Sequence, residues 1–416
     1  MKKRILSLAA ALVLCLTACA GNGFSDNELL SRGVERSKDT SVTCNYADGV
    51  TEPPSAYNNF SGAAVELGLK LLRRTYSEGS DTAVMPADSM LQLSLLANGA
   101  KGDTRTEILF ALGSDLNVDS LNACCSYFQS RMQTVGRQYL AQQEGKNDPS
   151  PTLTIPRALF LEKETEVRKT FLQANADYYG ADILRTNFAD ASLQSKLDSL
   201  LIGEKPQLTE ADGMVSYAAL SFSDTWLNPY SAGSSPDGVL LHSEESYMES
   251  DKAKGVIKYT TANPLKALFI LPDGDFDEYI KRFDSVEYFK LLDSVDVTKR
   301  QGVQLHPFTG KASAADMKDA LAAAGLSALF TEKSDFGNLA HGEGLTLDSF
   351  WESVPSVTVS AAGITTGTQA TPDSLTQDIA PEESEYTDDL VFDKPFLFIL
   401  TDNESNIPLY ITTVHI

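Results

Sequence analysis

The sequence predicts a domain of the α+β class. Helical hydrophobic patterns fill its first part, strand patterns are mixed in later, and regular β-α-β alternation is rare, which argues against a doubly wound sheet. A further observation is that residues 353–372 contain no charged side chain, although the 416-residue chain has a net charge of −23. Because an unpaired buried charge is strongly unfavourable, this neutral segment is suited to enter a protein interior.

The helices follow from the spacing of apolar residues. Phe60, Ala64, Leu67 and Leu71 recur at helical intervals, which predicts an amphipathic first helix. The segment 90–97 is apolar on nearly all sides, which is typical of a fully buried helix. Further helices are predicted over residues 104–112, 167–179 and 314–324.

The strands follow from short apolar runs that end at turn residues. Val357, Val359 and Ala361 alternate with polar Thr358 and Ser360, which predicts a strand at the start of the neutral segment. The small residues that follow either extend this strand or stand free as a loop. Other strands are predicted over residues 158–161, 215–222, 267–271, 396–400 and 409–414.

The N-terminus has the pattern of a bacterial export signal. A basic start, Met1–Arg4, precedes a short apolar run, and Leu16-Thr17-Ala18-Cys19 resembles a lipobox. We expect residues 1–18 to be a signal peptide, Cys19 to carry a lipid, residues 19–55 to form a flexible tether and residues 56–416 to form one domain. The protein would then be exported and held at the outer bacterial surface by its lipid alone.

Several classes of function are disfavoured. Cys44, Cys124 and Cys125 suggest neither a disulfide framework nor a metal site, and none of the four histidines has metal-ligand spacing. No nucleophile elbow or nucleotide-binding loop is present, so an enzyme and a cofactor are not expected. The strong acidity argues against nucleic acid as a partner and favours a basic protein.

Several motifs in the expected order resemble the serpin family. They are residues 98–106, 187–190, 271–274, 334–336 and 392–398, Trp226 followed by Pro229, and residues 360–363 where the family's loop hinge begins. The resemblance spans about residues 57–416. It implies eight or nine helices, three β-sheets, a monomer and an exposed reactive-centre loop over about residues 361–390.

The resemblance also implies a suicide inhibitor of serine proteases. In serpins a protease cuts the exposed loop, and the loop then inserts into the main sheet as a new strand. The side chains expected to face the interior after insertion are those of Ile364, Thr366, Thr368 and Ala370. The implied hinge consists of Gly363, Ile364, Thr365, Thr366, Gly367 and Thr368.

The bond that the protease would cut is placed by counting from Gly363. The family's usual span gives Gln377–Asp378, whereas the greater length of this loop leaves Leu375–Thr376 and Ile379–Ala380 as rivals. Either rival would suit an elastase-like protease, and no Lys or Arg lies between Ala361 and Lys394. Acidic residues after the loop could attract a cationic protease or could form a solvated flank.

The region where the sheet would open departs from the family pattern. Trp226 matches the tryptophan at the top of the sheet, but Asp88 stands where Ser is usual and Ala218 where Asn is usual. The family's histidine aligns with Glu352 or Ser353. Since Ile364 is also bulky for a hinge, the alternative is a non-inhibitory binding protein or adhesin on the same scaffold.

Overall fold

The computed structural model describes residues 23–25, 27–37, 52–113, 115–134, 152–210, 213–235, 238–261, 265–310, 315–342, 344–367 and 389–416. The predicted signal peptide and Cys19 lie outside these residues. So do Thr368, Ala370 and all three candidate cleavage bonds.

The described residues form an α+β fold with nine α-helices. The buried second helix begins with Pro86, which needs no amide hydrogen-bond partner at this position. The helices are α1 (Tyr57–Thr75), α2 (Pro86–Gly99), α3 (Gly102–Leu112), α4 (Val118–Thr134), α5 (Lys169–Tyr178), α6 (Leu193–Leu200), α7 (Phe276–Arg282), α8 (Ser285–Asp293) and α9 (Lys318–Ala323).

The strands of the first half of the chain are β1 (Ala83–Val84), β2 (Thr152–Thr154), β3 (Arg157–Glu162), β4 (Glu166–Val167), β5 (Asp182–Thr186), β6 (Met214–Ala219), β7 (Ser221–Thr225), β8 (Ser231–Ser235), β9 (Gly238–Glu249), β10 (Ala253–Tyr259) and β11 (Leu265–Pro272). Those of the second half are β12 (Asp296–Leu305), β13 (Phe308–Gly310), β14 (Ala315–Asp316), β15 (Ala340–His341), β16 (Leu347–Ser353), β17 (Val357–Val359), β18 (Gly363–Thr366), β19 (Leu390–Phe392), β20 (Phe396–Asp402) and β21 (Pro408–Val414).

Most of the predicted elements are confirmed, with two differences. The strand predicted over residues 215–222 is split into β6 and β7. The helix predicted from residue 314 begins only at Lys318, because Ala315 and Asp316 form β14 and pair with β16. Local apolar spacing does not show this pairing.

Two five-stranded sheets position the site, and because their strands adjoin along the chain they are called here the lower and upper halves of a long sheet. Its lower half has the order β14-β16-β6-β3-β5, and its upper half has the order β13-β17-β18-β7-β2. Strands β2, β7 and β17 of the upper half adjoin β3, β6 and β16 of the lower half along the chain, whereas β18 is an additional strand of the upper half. A separate sheet, β1-β21-β20-β11-β10-β9-β12-β19 with β8 beside β9, packs its apolar side chains into the main core.

The two faces of the lower half pack against different helices. Ser216 on β6 donates a hydrogen bond to Gln92 of α2. The neighbouring Tyr217, on the other face, packs with Leu193 and Leu197 of α6 in a second apolar cluster. The sheet therefore lies between α2 and α6, and each face buries alternate side chains.

Part of the predicted tether belongs to the folded body. Residues 23–25 and 27–37, called here the N-terminal strap, lie along the edge strand β5. The Leu30 amide donates to the Ile183 carbonyl at 2.8 Å, and Leu29 is only 4% exposed. The expected flexible tether over residues 19–55 is corrected for these residues, because their apolar side chains and backbone amides find partners on the edge strand.

Candidate functional site

The site is centred on β18, the first part of the implied loop hinge. This strand is antiparallel to β17 on one side and to β7 on the other, with Ile364 paired to Val359 and to Asp224. All four residues of β18 are buried, and Ile364 has no exposed surface. The hinge thus already forms a middle strand in the upper half of the long sheet.

Gly363 is required for this close approach. A Cβ atom at Gly363 would lie 2.2 Å from the Asp224 carbonyl oxygen and 3.0 Å from the Thr225 Cα. Both neighbours are backbone atoms of β7, so neither could move without disturbing the strand. A residue without a side chain therefore lets β18 pair with β7 at this position.

Thr366 lies where the sheet divides. Its hydroxyl accepts a hydrogen bond from the Phe222 amide at 2.7 Å and donates one to the Phe222 carbonyl at 3.2 Å. The following Gly367 donates its amide to the Ser356 carbonyl at 2.8 Å. Below this point β16 and β6 pair directly, from Leu347–Met214 to Ser353–Ala219. The Thr366 side chain therefore satisfies the backbone groups that the separated strands leave open.

Trp226 holds the turn that joins β17 to β18. Its indole Nε1 donates to the Ser360 carbonyl at 3.0 Å, and its amide donates to the Ala362 carbonyl at 3.0 Å. Tyr230 donates its amide to the Ala361 carbonyl at 2.9 Å. Trp226 is 1% exposed, so this turn is fixed to a rigid part of the core.

A buried ion pair lies beneath the two aromatic rings. Lys258 pairs with Glu245, and its Nζ lies 3.8 Å from the ring centre of Tyr230 and 5.6 Å from that of Trp226. Burial lowers the pKa of Lys258, whereas Glu245 opposes this shift. Both charges are compensated, and we interpret the pair as structural support for Trp226.

The expectation of a fully exposed loop is wrong for Gly363–Thr366. These residues are buried because small or uncharged side chains fit between β17 and β7, and backbone bonds are available on both sides. Gly367 is the first exposed residue after them. The remaining hinge residue, Thr368, lies outside the described part of the chain.

Two buried carboxyl groups lie just below the point where the sheet divides. Glu352 on β16 accepts a hydrogen bond from Ser89 of α2 and has no exposed surface. Asp88 is 1% exposed, and neither of its carboxyl oxygens has a hydrogen-bond partner among the described residues. Ala218 pairs with Glu352 on one side and with Arg157 on the other. The Ala218 side chain is small and apolar, so it adds no charge to those of the two carboxyls and Arg157.

Burial changes the protonation of both acids. It raises the pKa of Glu352 to about 7, although the hydrogen bond from Ser89 acts in the opposite direction. Burial, followed by the charge of Glu352, raises the pKa of Asp88 well above its usual value, whereas Arg157 acts to lower it. Burial therefore favours the protonated form of both carboxyls, which lie between the strand and α2.

Ser353 lies on the opposite face of the sheet. Its Oγ accepts a hydrogen bond from the Glu204 amide at 2.8 Å, in the connection between α6 and β6. Of the two residues that could align with the family's histidine, Glu352 is therefore the one that contacts α2. Successive side chains of a strand point to opposite faces of the sheet. Which of Glu352 and Ser353 faces α2 depends on the register of β16, and the sequence alone does not give that register.

Two further findings concern metal binding and membrane-spanning helices. Among the described residues there is no group of three or more His, Cys, Asp or Glu side chains that could hold a metal ion. None of the described helices is both long and apolar enough to cross a membrane.

Comparison with known proteins identifies the family. The model of the serpin (serine protease inhibitor) family matches residues 63–201 and 240–415. The chain belongs to the serpin family. Corticosteroid-binding globulin of Oryctolagus cuniculus is 26% identical over 67% of this chain and 77% of its own length. Alpha-1-antitrypsin 1-1 of Mus musculus is 22% identical over 86% of this chain and 87% of its own length.

The fold also matches solved serpin structures. The native state of tengpin, a thermophilic serpin, superposes with a TM-score of 0.68 at 22% identity, covering 92% of this chain and 100% of that one. Within this fold, β18 of the present chain lies between β17 and β7 in the upper half of the long sheet. The candidate site therefore combines the hinge, the turn held by Trp226 and the carboxyl groups of Asp88 and Glu352.

Proposed function

We propose that this serpin is a surface-anchored suicide inhibitor of a serine protease. The observation that carries the proposal is the burial of Gly363–Thr366 between β17 and β7. The sheet accepts this segment while the chain is intact. Cleavage further along the loop would free the rest of the segment to follow the same path.

The expected free-energy change is large enough to drive the reaction. Each backbone hydrogen bond contributes about 0.5–1.5 kcal/mol net, so insertion of some ten further residues would release on the order of ten kcal/mol. The uncut form would then be kinetically trapped until a protease cuts the loop. The uncharged side chains of residues 353–372 permit this burial.

The loop sequence supports an elastase-like target. Leu375–Thr376 and Ile379–Ala380 offer medium-sized apolar residues before the bond, whereas the counted position is Gln377–Asp378. The lack of Lys and Arg before Lys394 disfavours a trypsin-like protease. Mass spectrometry of the C-terminal fragment released by the protease would distinguish these three bonds.

The experiment that tests inhibition uses two variants with the same added charge. The unaltered protein and Val391→Arg, at an exposed position of β19, should each form an SDS-stable complex with an elastase-like protease. Ile364→Arg should be cut without forming the complex, because a charge at this buried position would displace β18 from between β17 and β7 and so close the path that the rest of the loop would follow. If the unaltered protein is also cut without a complex across a panel of serine proteases, the inhibitor proposal fails.

We also propose that Cys19 is lipidated and anchors the protein at the bacterial surface. The basic start, apolar run and lipobox-like residues support this. Bacteria grown with a labelled fatty acid should incorporate it into the unaltered protein and not into Cys19→Ser. Equal labelling of the two would contradict the assignment.

A second candidate is a non-inhibitory binding protein. The fully buried Ile364 favours it, because a bulky side chain early in the hinge could slow insertion of the rest of the loop. Relatives such as corticosteroid-binding globulin indicate that the scaffold also serves as a binding protein. A cleaved chain that is no more resistant to unfolding than the intact chain would favour this candidate.

A further inference from the structure

The N-terminal strap joins the candidate lipid anchor to one particular side of the serpin. The strap pairs with β5 through two backbone bonds, from Leu30 to Ile183 and from Arg185 to Glu28, both at 2.8 Å. Phe24 and Leu29 are 5% and 4% exposed and pack in the apolar cluster beneath α6. Backbone pairing and apolar burial together hold the strap on the edge of the sheet.

Charged contacts fix the strap at both of its ends. Near its start, Lys196 of α6 lies 3.0 Å from Glu28 and 3.3 Å from Asp190. At its end, the Ser37 amide donates to the Asp177 carboxylate at 2.6 Å. Burial acts to raise the pKa of Glu28, but hydrogen bonds from Ser25, Lys196 and Thr186 outweigh it and lower this pKa to about 2. The first contacts of the strap are therefore retained at physiological pH.

The strap begins directly beside α6. A Cβ atom at Gly23 would lie 3.0 Å from the Lys196 side chain. Only four peptide steps separate Cys19 from Gly23, and four residues span at most about 14 Å when fully extended. A domain of some 360 residues has a radius of gyration of about 21 Å. The fully extended connection from Cys19 to Gly23 is thus shorter than the radius of gyration of the domain that it would hold.

We propose that the anchored serpin turns its α6 side toward the lipid bilayer. This inference rests on the proposed lipidation of Cys19 and specifies the orientation that lipidation would impose. A flexible tether over residues 19–55 would have an r.m.s. length of about 35 Å and would let the body face any direction. Docking of the strap removes this freedom.

The orientation comes from the short connection and not from attraction to lipid headgroups. The outward face of α6 carries Gln194, Ser195, Asp198 and Ser199, with neither a cation nor a large apolar side chain. Lys196 is engaged by Glu28 and Asp190. The bilayer is therefore a neighbouring surface that α6 approaches without inserting into it, and the orientation should not depend on salt or on anionic lipid.

The opposite side of the molecule provides a reference position. α6 packs on one face of the long sheet and α2 on the other, α1 packs against α2, and α8 packs against α1. The sheet, α2 and α1 therefore stand between α6 and α8 in this series of contacts, and packed elements lie about 10 Å apart. Val286 on α8 is 75% exposed and suits a probe.

The test couples the mature chain to a bilayer without depending on natural lipidation. The chain beginning at Cys19, with Cys44→Ser, is joined through the Cys19 thiol to a maleimide phospholipid in phosphatidylcholine vesicles that contain a headgroup nitroxide quencher. Cys124 and Cys125 are buried and do not compete. A fluorescent amino acid replaces either Gln194 or Val286.

The proposal predicts several-fold stronger quenching at position 194 than at position 286. Insertion of twenty Gly and Ser residues between Asn22 and Gly23 should bring the ratio close to one, since it lengthens the connection without changing a described contact. The double variant Phe24→Ser, Leu29→Ser should do the same by releasing the strap. Equal quenching at the two positions with the natural connection would overturn the proposal.

A failure of the lipidation proposal can be distinguished from a failure of the orientation proposal. If Cys19→Ser and the unaltered protein incorporate fatty acid equally in bacteria, natural anchoring at Cys19 is refuted whatever the vesicles show. If labelling is specific but the vesicle quenching is equal at both positions, the anchor stands and only the orientation is refuted.

Discussion

Replacement of the buried Glu352 by Gln should remove a pH-dependent loss of stability. Gln can still accept the hydrogen bond from Ser89 and has nearly the same volume, but it cannot ionise. The carboxyl has an ordinary pKa of 4.5 and a pKa of about 7 in the folded protein. Since the folded pKa is raised, its contribution is fully present below the unfolded pKa and is lost as pH rises through the folded value.

The size of this effect follows from the difference in pKa. One pKa unit corresponds to 1.36 kcal/mol, so a shift from 4.5 to about 7 amounts to about 3 kcal/mol between the two plateaus. The free energy of unfolding of Glu352→Gln, relative to the unaltered protein, should therefore rise by about 3 kcal/mol between pH 4 and pH 8. Full burial of Glu352 means that solvent screening does not reduce this figure much.

The assay is a set of urea titrations from pH 4 to pH 9, with refolding titrations to establish reversibility. Glu244→Gln, which replaces an exposed carboxylate on β9, is the matched control and should follow the unaltered protein. Parallel pH profiles for Glu352→Gln and the unaltered protein would refute the reasoning, because they would show that Glu352 does not change its protonation on folding.

The remaining predictions concern the inserted hinge. Thr366→Val keeps the shape of the side chain but leaves the Phe222 amide and carbonyl without a partner, at a cost of about 1–3 kcal/mol. Hydrogen exchange of the Phe222 amide should be correspondingly faster. Unchanged exchange would contradict the role of the Thr366 hydroxyl. Gly363→Ala should displace β18 from β7, because the new Cβ would meet the Asp224 carbonyl at 2.2 Å. Hydrogen exchange across β7 should then increase, whereas Gly274→Ala, with open space around its Cβ, should leave it unchanged.

Local sequence patterns are sufficient to predict the elements that do not depend on a particular long-range partner. Apolar spacing was sufficient for α1, α2 and α3, because a helix satisfies its own backbone and needs only one apolar face. The two terminal strands were equally clear. The α+β class and the order of the motifs are sufficient to indicate the family.

The hinge could not be predicted in the same way. Residues 363–366 have small and uncharged side chains, which suit an extended strand, a free loop or a returning strand equally well. The choice depends on the fit of Gly363 against Asp224 and on the two bonds between Thr366 and Phe222. These contacts join residues more than 130 positions apart, and a local pattern contains no information about them.

The N-terminal strap was missed for a different reason. The segment 20–54 that contains it is polar and rich in Ser, Asn, Asp and Gly, which is typical of a linker. Phe24, Leu29 and Leu30 were the available signal, since a linker has no need of large apolar side chains. The burial of Phe24 and Leu29 in the cluster beneath α6 shows that a few apolar residues outweigh the average composition.

The depth to which the hinge enters is set at the point where the sheet divides. Above it, β17 and β7 are separated by β18, and Thr366 completes the hydrogen bonds of Phe222. Further entry would have to break the direct pairing of Glu352 with Ala218 and move Glu352 relative to Asp88. Because burial raises the pKa of both carboxyls, this movement would change the environment that sets those pKa values as well as the strand pairing. In the proposed insertion, the hinge and the acid pair would therefore take part in the same opening step, with the side chains of Thr366 and Glu352 on its two sides.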